Sequence, residues 1–338
     1  MSEIDGSGTE RPHATVLAEA AAAARTAPSI HNTQPWRWRV FPDALELYAD
    51  RSRQLRHADP EGRLLAISCG AALHHARVAL AAEGWRPEVT RFPDPGDADL
   101  LARLTLAERV EVTPAAMRTF QATEVRHTDR RPVTDEAVDA PTLAAISRAA
   151  TAEGARLHRL APDQLVELAA AAAQAQSAEL VDPDWRAELE YWAGSAHQVG
   201  VGVPEAAIPS SAPQTTVPGR DFGHPGTLPV GAGHDRAAVY AILYGDEDSP
   251  ARWLRGGEAL SAAWLAATEL GVSVLPLSAA VEVTGTRITL RRLLSGLGYP
   301  YLVLRFGVAD PEHQGPAHTP RLPSQQVVEI LPDGPARG

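Results

Sequence analysis

The sequence predicts an α+β fold built from two fused, unequal repeats, and three observations predict it. First, Gly70, Ala72, Leu73, Ala76, Val78, Ala79 and Gly84 align at one constant offset with Gly257, Ala259, Leu260, Ala263, Leu265, Ala266 and Gly271. Second, an earlier helix echoes in the same order, with Leu17, Ala18, Ala23 and Ala24 matching Leu143, Ala144, Ala149 and Ala150. Third, each Ala-rich helix is accompanied by short strand-like runs. The repeats are expected at 13–119 and 120–330, with tails at 1–12 and 331–338. The first tail is polar and reads as disordered.

The elements follow in order. An Ala-rich helix is expected from Thr15 to Arg25, stopped by Pro28. Trp36–Val40 and Ala44–Tyr48 alternate as a hairpin around Pro42-Asp43. Leu64–Glu83 is a long helix ended by Gly84. Pro87–Phe92 is a strand, and Leu101–Leu106 is a strand or a helix. Phe120–Pro132 is polar and strongly basic. Thr142–Ala152 is a helix, Ala155–Leu160 a strand, and Asp163–Gln176 a helix. Residues 194–235 hold many Gly, Pro, Ser and Thr residues with little periodicity. So long an irregular stretch reads as a functional lid or a disordered loop. Val239–Leu243 is a strand, Glu258–Leu270 a helix ended by Gly271, and Val272–Leu277 a strand. Arg287–Leu294 is a helix, Tyr301–Phe306 a strand, and the chain after Asp310 is Pro-rich.

Composition narrows the function. The 338 residues are 44% apolar and 22% charged, enough for a sizeable core. A net charge of -11 argues against nucleic acid or an anionic membrane as partner, though not against a basic pocket for one small phosphate. The single cysteine, Cys69, excludes an internal disulfide or a multi-cysteine metal site, and reads as a small core residue. The N-terminus lacks a signal peptide's apolar segment, and no run reads as a membrane span, so a cytoplasmic location is expected. His74 and His75 are adjacent, point about 100° apart on a helix and cannot share a metal; they read as surface or interface residues. Trp185 and Trp192 have helical spacing and read as packing for the lid.

No Gly-x-Gly-x-x-Gly turn, P-loop, Gly-x-Ser-x-Gly elbow or His-Glu-x-x-His helix occurs. Two other segments carry chemistry. Ala27-Pro28-Ser29-Ile30-His31-Asn32-Thr33-Gln34-Pro35-Trp36 packs hydroxyl, amide and imidazole groups between a helix and a strand. It suits either the polar edge of a planar heterocycle or a capped helix–strand connection. Arg126-His127-Thr128-Asp129-Arg130-Arg131-Pro132 crowds three guanidiniums and an imidazole, which repel unless something neutralises them. The neutralising group is either a phosphate, which Arg forks and Thr128 would grip, or local carboxylates.

Together these segments resemble the flavin site of the nitroreductase superfamily. Arg126, His127, Thr128 and Arg130 match its basic motif, Arg-Arg/His-Ser/Thr-x-Arg/Lys. Pro28, Ser29, Asn32, Gln34, Pro35 and Trp36 match its Pro-Ser-x-x-Asn-x-Gln-Pro-Trp motif, and Arg321-Leu322-Pro323 its C-terminal Arg-Leu-Pro. The order is reversed, since an ordinary family member carries the basic motif first. Fusion of two degenerate copies of a homodimer would reverse it and leave one complete site. The second half has Ala152-Glu153-Gly154-Ala155 where a second Pro-Ser loop would stand, so a second site should be dead. Ser68-Cys69-Gly70-Ala71-Ala72-Leu73-His74 and Thr319-Pro320-Arg321 are similar to the Acg-type branch of actinobacteria, which carries an internal lid.

The resemblance implies a nitroreductase-type fold, an intrachain pseudo-dimer and one bound FMN. It places Arg126 and Arg321 on the FMN phosphate, with His127 and Thr128 beside them. It places Arg130 near flavin N1 and O2, Ser29 and Asn32 on the ring's polar edge, Pro28 and Gln34 among the cofactor-binding residues of the same loop, and Leu277 and Ser278 near N5. The chemistry then belongs to the flavin, with no catalytic side chain required. The implied activity is two-electron transfer from NAD(P)H to a small acceptor, or alternatively flavin binding under a closed lid with little reductase activity. A fused pseudo-dimer completes its site alone, so a monomer suffices, with a homodimer left open.

Overall fold

The computed structural model describes residues 12–193, 199–231, 233–310 and 318–332. The expected tails fall largely outside these residues, as do 194–198 and 232 of the irregular stretch. The first half contains α1 (His13–Ala23), β1 (Trp36–Val40), β2 (Ala44–Ala49), α2 (Arg63–Ala82), β3 (Trp85–Arg91), β4 (Leu100–Arg109) and α3 (Pro114–Val125). The second half begins with α4 (Ala140–Ala152), β5 (Arg156–Arg159), α5 (Pro162–Val181), α6 (Pro183–Ala193) and β6 (Val239–Gly245). It continues with α7 (Pro250–Glu269), β7 (Ser273–Leu277), α8 (Ala279–Glu282), α9 (Thr284–Leu293), β8 (Tyr299–Gly307), α10 (Ser324–Val327) and β9 (Val328–Ile330).

The α+β expectation holds, and the two halves share a plan. One sheet runs β3-β4-β2-β1-β9 and the other β5-β6-β8-β7. Written from the opposite edge, the second is β7-β8-β6-β5, the same path as β3-β4-β2-β1, with every one of these pairs antiparallel. A register shift falls between Leu47 and Tyr48 in β2 and between Leu243 and Tyr244 in β6, at the same Leu-Tyr step. The first hairpin closes directly, because Phe41 N–H donates to Ala44 O at 2.8 Å. Its counterpart, β5 to β6, is interrupted by α5, α6 and the irregular stretch.

The halves meet along α2 and α7. Each helix ends at a glycine in the left-handed region, Gly84 at φ 74° and Gly271 at φ 72°, where a side chain would be strained. The crossing is close enough to forbid side chains. A Cβ on Gly70 would lie 1.9 Å from Leu254 O, and a Cβ on Gly257 would lie 1.9 Å from Ile67 O. The same spacing separates Gly70 from Gly257 and Ile67 from Leu254, so each contact is the other's mirror under exchange of halves. Such reciprocity is what a two-fold relation imposes. His74 and Ser261 carry the same spacing and touch each other, Nδ1 to Oγ at 2.9 Å.

Four expectations need correction. His74 and His75 are interface residues but not surface ones, because α2 is enclosed by α1, α3 and α7. By length and hydropathy α2 also passes as a membrane span, with a mean hydropathy of 1.4 over 18 residues, but 89% of that window is buried inside the protein. The basic segment is preceded by the unanticipated α3, whose Thr113 hydroxyl accepts from Ala116 N–H at 3.1 Å and caps it ahead of Pro114. Helix α7 starts at Pro250, a full two turns before Glu258. In addition, β9 closes the second stretch of chain yet pairs in parallel with β1 of the first sheet, tying 318–332 back to the opposite half.

Candidate functional site

A cavity of about 600 Å³ opens between the halves, and the two motifs meet in it. Pro28, Ser29, Asn32, Arg126, His127, Thr128, Arg130, Leu277, Ser278 and Arg321 all line its wall. Gln34 is the exception. Its side chain is buried and donates to Gly200 O at 2.7 Å while accepting from Leu322 N–H at 3.0 Å. It braces the loop against the returning tail instead of facing the cavity.

The Pro28–Trp36 loop is held in a sparsely populated conformation, with His31, Asn32 and Gln34 at φ 44°, 55° and 49°. Neighbours hold it there. Ser68 Oγ accepts from Ile30 N–H at 3.1 Å, and Ser29 Oγ accepts from Gln34 N–H at 2.9 Å. The Ser29 hydroxyl hydrogen is thereby left to donate elsewhere. The Asn32 amide is fully engaged, its N–H groups donating to Gly202 O and Pro320 O at 3.0 and 2.9 Å and its oxygen accepting from Arg321 at 2.9 Å. Asn32 therefore acts on the cavity by aiming Arg321.

The cavity wall carries four arginines, Arg126, Arg130, Arg220 and Arg321, against one aspartate, Asp221. Arg126 is buried, lies over the Trp264 ring at 4.5 Å and donates to Thr26 O at 3.1 Å. Arg321 donates to the same carbonyl at 3.2 Å. The Nε of each is buried without a partner. Burial, with Arg321 adding repulsion, brings the Arg126 pKa down to about 9. Burial and nearby Arg25 bring Arg321 to about 10. Arg130 donates to Ala207 O at 3.0 Å, lies 5.3 Å from the Phe222 ring centre, and is brought to about 10 by burial and Arg220. None of these three forms an ion pair among the described residues. Arg131, adjacent in sequence, is neutralised by Asp129 at 2.7 Å and faces away from the cavity. Of the two ways of neutralising the basic segment, a carboxylate serves Arg131, while Arg126 and Arg130 have no ion pair among the described residues.

The segment after α6 lies over the cavity. Val203, Ala207, Ile208 and Phe222 pack with Leu189 and Ala193 of α6 into a small separate core. Arg220 fastens the segment down, pairing with Glu179 of α5 at 2.6 Å and with Glu282 of α8. At the segment's root, the Glu188 carboxylate accepts from the backbone N–H groups of His57 and Ala58 at 3.1 and 3.0 Å, anchoring α6 to the first half. Trp192 is buried in the first half's core with Val201, and Trp185 packs against that core, so neither belongs to the lid's own small core, contrary to the packing role expected from their spacing. Sequence reasoning missed Trp264, Ser68 and Arg220. Trp264 carried a signal, since it occupies in α7 the position that Arg77 holds in α2.

The region related to the cavity by exchange of halves holds paired charges. Glu153, from the Ala-Glu-Gly-Ala turn, accepts from Arg77 at 2.6 Å. Glu258 is fully buried and accepts from Arg77 at 2.9 Å and from Arg91 at 2.7 Å. Every charge in this cluster has its counter-charge.

No protein-family model matches the chain. Curated relatives do. A protein of Mycobacterium tuberculosis strain H37Rv, provisionally named an NAD(P)H nitroreductase, is 38% identical over 342 residues, covering 96% of each chain. A second from the same strain, provisionally named NAD(P)H nitroreductase acg, is 34% identical over 324 residues, 93% of this chain and 96% of that one. Among solved structures, an FMN-bound nitroreductase from Desulfitobacterium hafniense is 14% identical, covers 63% of this chain and 98% of its own, and has a TM-score of 0.39.

Proposed function

We propose, from the premise that this chain belongs to the nitroreductase family, that it is an FMN-dependent oxidoreductase passing two electrons from NAD(P)H to a small acceptor. Its single flavin occupies the cavity between the halves. The halves read as a duplicated pair, which the shared strand path and the reciprocal glycines support. One chain then supplies a whole site, and a monomer is sufficient.

The observation that carries the proposal is the convergence of Arg126 and Arg321 on Thr26 O, with a buried, unpartnered Nε on each. Buried cations without a counter-charge are costly, and folded proteins leave them so where a ligand completes them. A phosphate offers several charged oxygens and suits guanidinium forks. Arg126 and Arg321 would hold it, with Thr128 and His127 nearby in the wall. Ser29 keeps a hydroxyl hydrogen for the ring's polar edge, Arg130 supplies a fixed cation, and Leu277 and Ser278 form part of the wall around the ring. When bound, the flavin supplies reversible two-electron chemistry. Phe222, Ile208, Val203 and Ala207 exclude water from above.

The purified protein should be yellow and hold added FMN. Anaerobic mixing with NADPH should bleach the flavin band. A colourless protein that refuses FMN overturns the proposal. A second reading, a flavin-holding protein with little turnover, is favoured by the buried Arg220 pairs with Glu179 and Glu282, which fix the lid shut. Under it, FMN binds but NADPH bleaches slowly, and Arg220→Ala accelerates bleaching.

A further inference from the structure

We propose that Arg305 and Asp235 are positioning residues for Arg130, a buried clamp that fixes the backbone on both sides of it and so holds its guanidinium at one place in the cavity wall. The inference rests on the oxidoreductase reading above. Arg130 lines the cavity, but the chain that carries it, from 126 to 133, belongs to no helix or strand. Arg305 of β8 supplies the hold that a regular element would give. Its Nη2 donates to Asp129 O at 2.9 Å and to Arg131 O at 2.6 Å, the carbonyls of the two residues flanking Arg130. Its Nη1 donates to the Asp235 carboxylate at 2.9 Å. Asp235 in turn accepts from Val133 N–H at 2.7 Å and from the Tyr240 hydroxyl at 3.1 Å.

Neither Arg305 nor Asp235 lines the cavity, and both are 2% exposed. A buried ion pair adds little net stability, because desolvation offsets the attraction, and its best-attested use is to fix one arrangement out of several. The groups held here show which arrangement is fixed. Of the three cavity arginines without an ion pair among the described residues, Arg130 alone sits between the clamped carbonyls. Arg126 follows the end of α3 and converges with Arg321 on Thr26 O. The clamp therefore acts on Arg130 and leaves the phosphate grip alone. Its effect falls on the redox balance and not on affinity for the oxidised cofactor. Reduction adds negative charge to the ring system, and a cation in the wall favours that state more the less it can swing away.

The test pairs Arg305→Met with Asp235→Asn. Both charges leave together, the amide oxygen still accepts from Val133, and Asn tolerates the φ of 55° at that position. In the FMN-loaded chain the midpoint potential should fall by about 30 mV, an about tenfold loss of preference for the reduced over the oxidised form. Affinity for oxidised FMN should stay within a few-fold. In the flavin-free chain, ¹⁵N relaxation should show the Arg130 side chain more mobile. With Arg130→Met already in place, the same pair should leave the potential where it is, a coupling that a general support of the fold would not show. Arg305→Lys keeps the charge but not the fork that spans two carbonyls, and should shift the potential the same way by less. The proposal is overturned if the potential does not move, if it moves equally in the Arg130→Met background, or if both variants lose FMN altogether. A native chain that refuses FMN sinks the oxidoreductase reading instead. The clamp is then judged in the flavin-free chain, where unchanged Arg130 mobility overturns it.

Discussion

Two regions related by exchange of halves face each other across α2 and α7, and they have met opposite fates. Around Arg77 and Arg91, the carboxylates of Glu153 and Glu258 neutralise both guanidiniums. Around Arg126 and Arg321, no ion pair forms among the described residues, a cavity of about 600 Å³ remains, and two Nε atoms are left unpartnered. The same backbone plan supports both. What differs is whether the chain carries its own counter-charge. On the proposed reading, a duplicated scaffold turns one potential site into a neutralised charge cluster and keeps the other as a receptor for an anion.

The comparison breaks most readily by charge removal. Arg126→Ala with Arg321→Ala should weaken FMN binding by about 10²–10⁴-fold, taking about 1.5–3 kcal/mol for each charge-assisted contact. Flavin fluorescence titration reads it. Arg77→Ala with Arg91→Ala should leave FMN affinity within a few-fold and instead cost about 3–5 kcal/mol of stability, because it strands a fully buried Glu258. Urea unfolding reads that. If both pairs behave alike, the contrast is lost. The crossing itself is tested next. Gly70→Ala and Gly257→Ala meet equivalent carbonyls, and each should cost about 1–3 kcal/mol or more, in nearly equal amounts. Unequal costs would argue against a two-fold relation. The smallest effect is with pH. Arg126 must be cationic to hold a phosphate, and burial beside Arg321 sets its pKa at about 9. FMN affinity should therefore be level through neutral pH and fall as pH rises past about 9, because binding then requires proton uptake.

The site was legible where its chemistry is contiguous. The Pro28–Trp36 loop and the 126–130 run each declare their groups within a few residues, and the cavity joins them as the resemblance implied. Gln34 shows the limit, since a motif position does not reveal whether an amide faces the cavity or braces the loop behind it. Trp264, Ser68 and Arg220 come from elements whose inward faces only packing determines. The repeat was legible because Gly70 and Gly257 cannot change without a clash, and Gly84 and Gly271 sit in the left-handed region. Helix α3 escaped because it buries only Ala122 and Thr123 and so lacks an apolar stripe. Strand β9 escaped because its three residues are fixed by β1, a partner far away in sequence. The latch joining Arg220 to Glu179 and Glu282 likewise spans three separate segments.

The most direct measurement is the binding stoichiometry of the flavin-free chain titrated with FMN. Saturation at one FMN per chain is expected, with the Arg126 and Arg321 region filled and the Arg77 and Arg91 region closed. Saturation at two per chain, or no binding at all, would contradict the division of labour between the halves.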